Sequence, residues 1–360
     1  MVLIMFGTYR YLLALMVVVS HLLPGQDRNP GGCAVFGFYM LSGYLMTYVL
    51  VNNYGFTAGG LARFSVNRAL RIYPPYLVVM AMALIMVLFN PTTSLTVNKC
   101  LLLPCSISEW IKNIFIFGLT NETKAKLVPP AWSLYLELVF YIAMAIVLSR
   151  KKSIVVLWFC MSVAYTAYMV IEGYAWGSRY LDFQAVSLPF STGAMIYYFR
   201  GYFKRLPKWH TFLAGGMFLL NAFYPVLFWK EIRVEGFYSS VFLSAYLVVC
   251  LVNLDGRDVP AWATRIDRFL GNLSYPIFLC HYPVVAYVVE GIYSGAKPDR
   301  LTLFMASLPF INLTAYAVYH FVDQKVNMVR EGVRAGGINP SFKTSVHYDS
   351  SSAAESSIIV

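Results

Sequence analysis

The sequence predicts an all-α polytopic membrane protein, a bundle of about ten transmembrane helices with both termini cytoplasmic. Three observations predict it. Of the 360 residues, 59% are hydrophobic and only 12% charged, about half the charge of a soluble domain. Long apolar runs recur between polar loops along most of the chain, and mean hydropathy is +0.61. The lysines and arginines gather at the ends of those runs, so the net charge of +11 belongs to helix flanks rather than to a basic, aromatic-interleaved nucleic-acid surface.

Taken in order, the expected spans are residues 1–23, 33–53, 74–89, 131–149, 153–171, 182–199, 211–229, 236–253, 269–290 and 301–322. The run at 111–119 is too short to cross and is expected to lie at the interface or re-enter. With the N-terminus inside, cytoplasmic segments hold 17 lysines and arginines against 10 outside, which orients the bundle. The chain divides into a membrane domain, 1–325, and a cytoplasmic tail, 326–360, whose glycines, serines and isolated charges predict disorder. No signal-peptide cleavage site follows the first run, so that segment is expected to remain. Six cysteines show no metal spacing, and Cys100 and Cys105 can be paired or free.

Several intramembrane polar groups point to chemistry. Arg10 and His21 bracket the first apolar run; eleven helical steps turn ~1100° and climb ~16 Å, which places both on one face at two depths. If both merely snorkelled to the interfaces, too few residues would remain between them for a bilayer that needs about 20. Such side chains usually face a bundle interior or a water-filled path.

Ser42 and Gly43 in the second span permit close packing, and Ser42 can also line a path. Arg68 and Arg71, three apart before Pro74, present two guanidinium forks on one face, suited to phosphates or to ordinary anchoring at the inner surface. Trp132, Ser133 and Glu137 open the fourth span, with Ser133 and Glu137 one turn apart at the depth of His21. A carboxylate there can orient an imidazole, bind a hydroxylated substrate or close an internal ion pair. His281 lies midway along the ninth span between Pro276 and Pro283, and Asp323 closes the last span beside the loop arginines.

Together these segments resemble the acyltransferase-3 family of integral membrane acyltransferases. The matching pieces are Arg10 and His21 with their spacing, Gly37-Phe-Tyr-Met-Leu-Ser-Gly-Tyr-Leu45, and Arg68-Ala-Leu-Arg71-Ile-Tyr-Pro74. Trp132-Ser-Leu-Tyr-Leu-Glu137-Leu-Val-Phe-Tyr141 and Leu270-Gly-Asn-Leu-Ser-Tyr-Pro-Ile-Phe-Leu-Cys-His281-Tyr-Pro283 complete the set. Each is weak alone; five in order across residues 10–283 are specific. Two departures, Tyr11 in place of a glycine and Asp323-Gln-Lys in place of a Glu-x-Pro, bear on subfamily and substrate.

The resemblance implies an acyl-coenzyme A donor, acetyl-CoA above all, and no metal. It implies as acceptor a hydroxyl of a cell-surface carbohydrate, such as an O-antigen, an exopolysaccharide or another glycoconjugate, and as location a bacterial inner membrane. Arg10 and His21 are then essential, and Arg68 and Arg71 serve the donor. His21 acts as base for the alcohol or as transient acyl carrier, Glu137 holds its tautomer, and Ser42, Trp132, Ser133 and His281 line the substrate path. Some relatives carry a further hydrolase-like domain, so this chain is expected to finish the transfer itself or hand the acyl group to a separate protein. The rival classes are a transporter or flippase of lipid-linked sugar and a glycan polymerase or ligase.

Overall fold

The computed structural model describes residues 5–23, 30–203, 206–228, 234–254 and 259–334, and within them every regular element is helical. Among the described residues, seven helical stretches are long and apolar enough to cross a membrane: Pro30–Tyr54, Ala58–Phe89, Pro129–Leu148, Lys152–Ile171, Val234–Val252, Ala261–Tyr293 and Arg300–Arg334. Phe6–Leu22 is a shorter apolar helix, and helices at Phe183–Phe199 and Trp209–Leu227 coincide with the two remaining expected spans.

The α-helices among the described residues are α1 (Phe6–Leu22), α2 (Pro30–Val49), α3 (Ala58–Phe89), α4 (Pro91–Val97), α5 (Ile107–Phe115), α6 (Trp132–Ala143), α7 (Lys152–Ile171), α8 (Trp176–Leu181), α9 (Phe183–Phe199), α10 (Trp209–Leu227), α11 (Val234–Val252), α12 (Ala261–Tyr293), α13 (Arg300–Val318) and α14 (Gln324–Arg334), of which α1, α2, α3, α6, α9 and α12 build the interior. Small residues set their approach. A Cβ on Gly43 of α2 would stand 2.1 Å from the Phe190 carbonyl oxygen of α9, and one on Gly193 would stand 2.0 Å from that of Met40. Gly43 is therefore a packing residue. Likewise a Cβ on Gly7 of α1 would lie 1.9 Å from the Asp267 carbonyl oxygen of α12, and one on Gly271 would lie 2.6 Å from the Gly7 Cα. Backbones in contact leave no room for a larger side chain.

Two expectations are corrected. Arg68 and Arg71 do not lie in a loop ended by Pro74. Helix α3 starts at Ala58, where Thr57 accepts a hydrogen bond from the Gly60 N–H (3.2 Å), and continues through Pro74 and Pro75. Neighbouring helices can compensate proline-weakened backbone inside a bundle; the carbonyls that Pro74 and Pro75 leave without their N–H are those of Leu70 and Arg71, and the Tyr275 hydroxyl donates to the adjoining one, that of Ile72 (2.9 Å). Helix α12 likewise runs unbroken through Pro276 and Pro283.

The tail boundary also moves. Residues Gln324–Arg334 form a helix, α14, that packs on α3, so 326–334 belong to the folded part; 335–360 lie outside the described residues. The sequence there is polar and lacks an apolar run, but one face of the helix buries Arg330 and Val333.

The long connection between α3 and α6 is ordered by side chains. Asn113, on the short helix α5 (Ile107–Phe115), donates to the Ala125 carbonyl (2.9 Å) and accepts from the Leu127 N–H (2.9 Å). The buried Lys126 ammonium donates to the carbonyls of Asn121 (2.7 Å) and Thr123 (2.6 Å). Helix α5 leaves Ile107, Ile111 and Phe115 exposed, an apolar face suited to a lipid boundary. Cys100 and Cys105 are free thiols.

Candidate active site

Helices α1 and α12 run side by side in parallel. The Asp267 carboxylate accepts from the Thr8 N–H (2.5 Å), one of the donors that a helix start leaves without an internal partner. Fourteen residues beyond the Gly7–Asp267 contact on each helix, His21 meets His281. Two heptads bring a helix back to nearly the same face, so the contact at Gly7 and Asp267 fixes the register of the histidine pair. His21 Nδ1 is 2.9 Å from His281 Nε2, and the Tyr282 ring stacks on His21 with centroids 5.0 Å apart. His21 is exposed, whereas His281 is fully buried.

Two cavities adjoin along α1. The larger, of about 110 Å³, is lined by Arg10, Ser42, Arg68, Arg71, Ser133, Glu137, Tyr141 and Tyr275, among others. The smaller, of about 20 Å³, holds Val17, His21, Trp132, Ser133 and Tyr180. Val35, Ser133 and Phe278 line both and form the wall between them.

The larger cavity is strongly cationic at one end. Arg68 is buried, with Nη1 3.6 Å from the Met46 sulfur and Nη2 donating to Asn67 Oδ1 (3.2 Å). Arg71 Nη1 stands 3.8 Å from Asp323 Oδ2, and its guanidinium lies over the Tyr275 ring at 5.9 Å. Beside the cavity rather than in its lining, Arg330 of α14 donates from Nε to the same Asn67 oxygen (3.2 Å), and its carbonyl accepts from Asn67 Nδ2 (3.1 Å). Three guanidinium groups thus converge around Asn67 and Asp323, an arrangement that suits a ligand carrying several phosphates. Further along the cavity wall, the Nε of Arg10 is buried with no hydrogen-bond partner among the described residues.

The structure brings every candidate residue except His281 to this pair of cavities, and two of the candidates have neighbours other than those expected. Glu137 does not orient His21: it accepts from Ser42 Oγ (2.5 Å) and from the Tyr141 hydroxyl, and it lines the arginine cavity. The reason is one turn of helix. Ser133 reaches the shared wall, and Glu137, about 6 Å further along α6, falls on the far side of it. His281 lines neither cavity and instead stands behind His21.

A family profile described as an acyltransferase domain matches residues 8–320. The chain belongs to the acyltransferase-3 family. It is similar to the O-acetyltransferase OatA of Staphylococcus aureus strain MRSA252, with 21% identity over 356 residues that cover 92% of this chain and 58% of that protein. The same enzyme of strain NCTC 8325 / PS 47 is 21% identical over 355 residues, with the same coverage. The chain therefore spans less than two thirds of the length of the curated relatives it matches. No solved structure matches it.

Within this acyltransferase-3 membrane protein, the residues that sequence reasoning missed are Asn67, Tyr141, Tyr275, Phe278 and Arg330. Tyr141 follows Glu137 by four residues on an apolar helix, a spacing that carries a signal. Arg330 gives none, because nothing in a polar C-terminal stretch says that its helix returns to α3.

Proposed function

We propose that this chain transfers an acyl group, acetyl in the first instance, from acyl-coenzyme A to a hydroxyl of a cell-surface carbohydrate. The work is done within a bundle of about ten membrane-crossing helices whose termini are both cytoplasmic. The observation that carries the reading is the pair of adjoining cavities, with an arginine cluster in one, an accessible imidazole in the other and a wall of three side chains between. Membership in the acyltransferase-3 family and likeness to proteins named O-acetyltransferase support the same class of reaction.

In this reading Arg68, Arg71 and Arg330 hold the donor's phosphates at the inner end, and the pantetheine arm extends past Arg10 toward Ser133. The acceptor enters beside Trp132. His21 takes the proton of the acceptor hydroxyl as that oxygen bonds to the thioester carbonyl carbon. The carbon–sulfur bond then breaks, the proton passes to sulfur, and the products are an O-acyl ester and free coenzyme A thiol. Cationic and N–H donors nearby stabilise the oxyanion formed between the two steps. The elongated donor reaches an acceptor on the opposite side without being carried across.

The test supplies purified protein in lipid with acetyl-CoA and acceptor glycan. Free thiol should appear in step with an acetyl mass increment on the glycan, and His21→Ala should abolish both while the variant still elutes as folded protein. Thioester that stays intact would indicate a transporter, a change in glycan chain length would indicate a polymerase, and full transfer by His21→Ala would remove His21 from the chemistry.

A further inference from the structure

An imidazole serving as base must offer a bare ring nitrogen, and the residues behind His21 decide which one. His281 Nδ1 lies 2.8 Å from the Phe278 carbonyl oxygen and 3.3 Å from that of Ile277, both one turn back on its own helix. A carbonyl oxygen only accepts, so Nδ1 of His281 carries its hydrogen. In the neutral ring this leaves Nε2 as a lone pair, and Nε2 faces His21 Nδ1 at 2.9 Å. The contact is a hydrogen bond when His21 Nδ1 is the donor, which leaves the other lone pair on His21 Nε2.

Ring geometry agrees. The two planes are 15° apart and the centroids 5.1 Å apart, which with a 2.9 Å nitrogen–nitrogen contact sets the rings nearly edge to edge. In that arrangement the N–H points along the plane of the accepting ring, where the lone pair lies. Tyr282, stacked on His21, limits rotation about the contact.

We propose that His281 is a positioning residue, held by the carbonyls of Ile277 and Phe278, that fixes His21 as its Nδ1–H tautomer and so presents the Nε2 lone pair to the acceptor hydroxyl. This rests on the assignment of His21 as the base. When Nε2 takes the hydroxyl proton, His21 becomes a cation with a hydrogen on each nitrogen, and its bond to His281 becomes charge-assisted and stronger. The proton later leaves Nε2 for the thiolate sulfur; none leaves His281. A neutral ring suits this task at a fully buried position, where an isolated carboxylate would be costly to desolvate.

Two variants separate the tautomer role from a packing role. His281→Asn keeps a donor near the Ile277 and Phe278 carbonyls but has no acceptor where Nε2 stood, whereas His281→Gln can place its amide oxygen there. In the acetyl-CoA and glycan assay, His281→Asn should lower kcat on the order of 10²–10⁴-fold, the usual share of general base catalysis. The KM for acetyl-CoA should stay within about twofold, because the histidine pair is not in the arginine cavity. His281→Gln should recover at least about tenfold over His281→Asn at equal amounts of folded, monodisperse protein.

Wild-type kcat in His281→Asn, or equal losses in the Asn and Gln variants, would overturn the proposal. If His21→Ala is inactive while His281→Asn is fully active, the positioning role falls and the assignment of His21 stands. If His21→Ala is active, the underlying reading falls first.

Discussion

Arg71 is tied both to the fold and to the proposed donor, and the structure allows the two to be separated. Its guanidinium stands 3.8 Å from Asp323, whose side chain is 2% exposed against 15% for Arg71. Removing one partner of a buried ion pair costs about 3–5 kcal/mol because the other charge is stranded. A 3.8 Å separation places Arg71→Ala near the lower end, at about 3 kcal/mol. Loss of a hydrogen bond to a phosphate adds a separate effect, ~1.5–3 kcal/mol of donor binding, or roughly 10- to 150-fold in apparent KM. Arg71→Ala should therefore lower the thermal midpoint and raise the KM for acetyl-CoA. The double variant Arg71→Ala/Asp323→Asn should regain most of the lost stability, since no buried carboxylate remains unpaired, while KM stays high. Heating followed by fluorescence-detected size exclusion reads the first quantity, and initial rates of thiol release across donor concentrations read the second. A double variant that recovers both would mean that Arg71 serves the fold alone and that the donor's phosphates are held elsewhere.

Arg330→Ala should raise the donor KM about tenfold, the value of one charge-assisted contact of ~1.4 kcal/mol, with kcat unchanged; a KM equal to wild type would take α14 out of the donor site. Ser133→Leu fills the wall shared by the two cavities, so transfer should be lost while acetyl-CoA still raises the thermal midpoint by binding the folded state. Transfer at the wild-type rate in that variant would show that the acyl group does not pass Ser133.

Much of the fold was legible because lipid imposes a single solution on an apolar run, a helix long enough to satisfy its own backbone. What periodicity misjudged were the ends. Pro74 and Pro75 would normally mark a start, yet α3 begins at Ala58, because inside a bundle a helix tolerates the backbone bonds that proline removes. At the other end α14 is polar apart from a narrow face, and its stability comes from packing on α3 rather than from any apolar run within itself. Propensity and hydropathy see neither circumstance.

The site divides along the same line. Pairs within one helix were readable from spacing: Arg10 with His21, Arg68 with Arg71, Ser133 with Glu137. Pairs between helices were not, and there the reading of Glu137 as the partner of His21 went wrong. Depth in the membrane is one coordinate, and it placed Glu137 and His21 at a similar level; it says nothing about azimuth around the bundle. Azimuth is set by Gly7 against Asp267 and by Gly271 against Gly7, contacts that lock α1 to α12 in register and carry His281 to His21 across 260 residues of sequence. The glycines thus do more than permit close packing. By fixing which faces of α1 and α12 meet, they determine that the neighbour of the candidate base is an imidazole whose Nδ1 lies against backbone carbonyls. A substitution at Gly7 should therefore impair transfer through the histidine pair, about four turns away, and leave the proposed donor contacts of α3 and α14 in place.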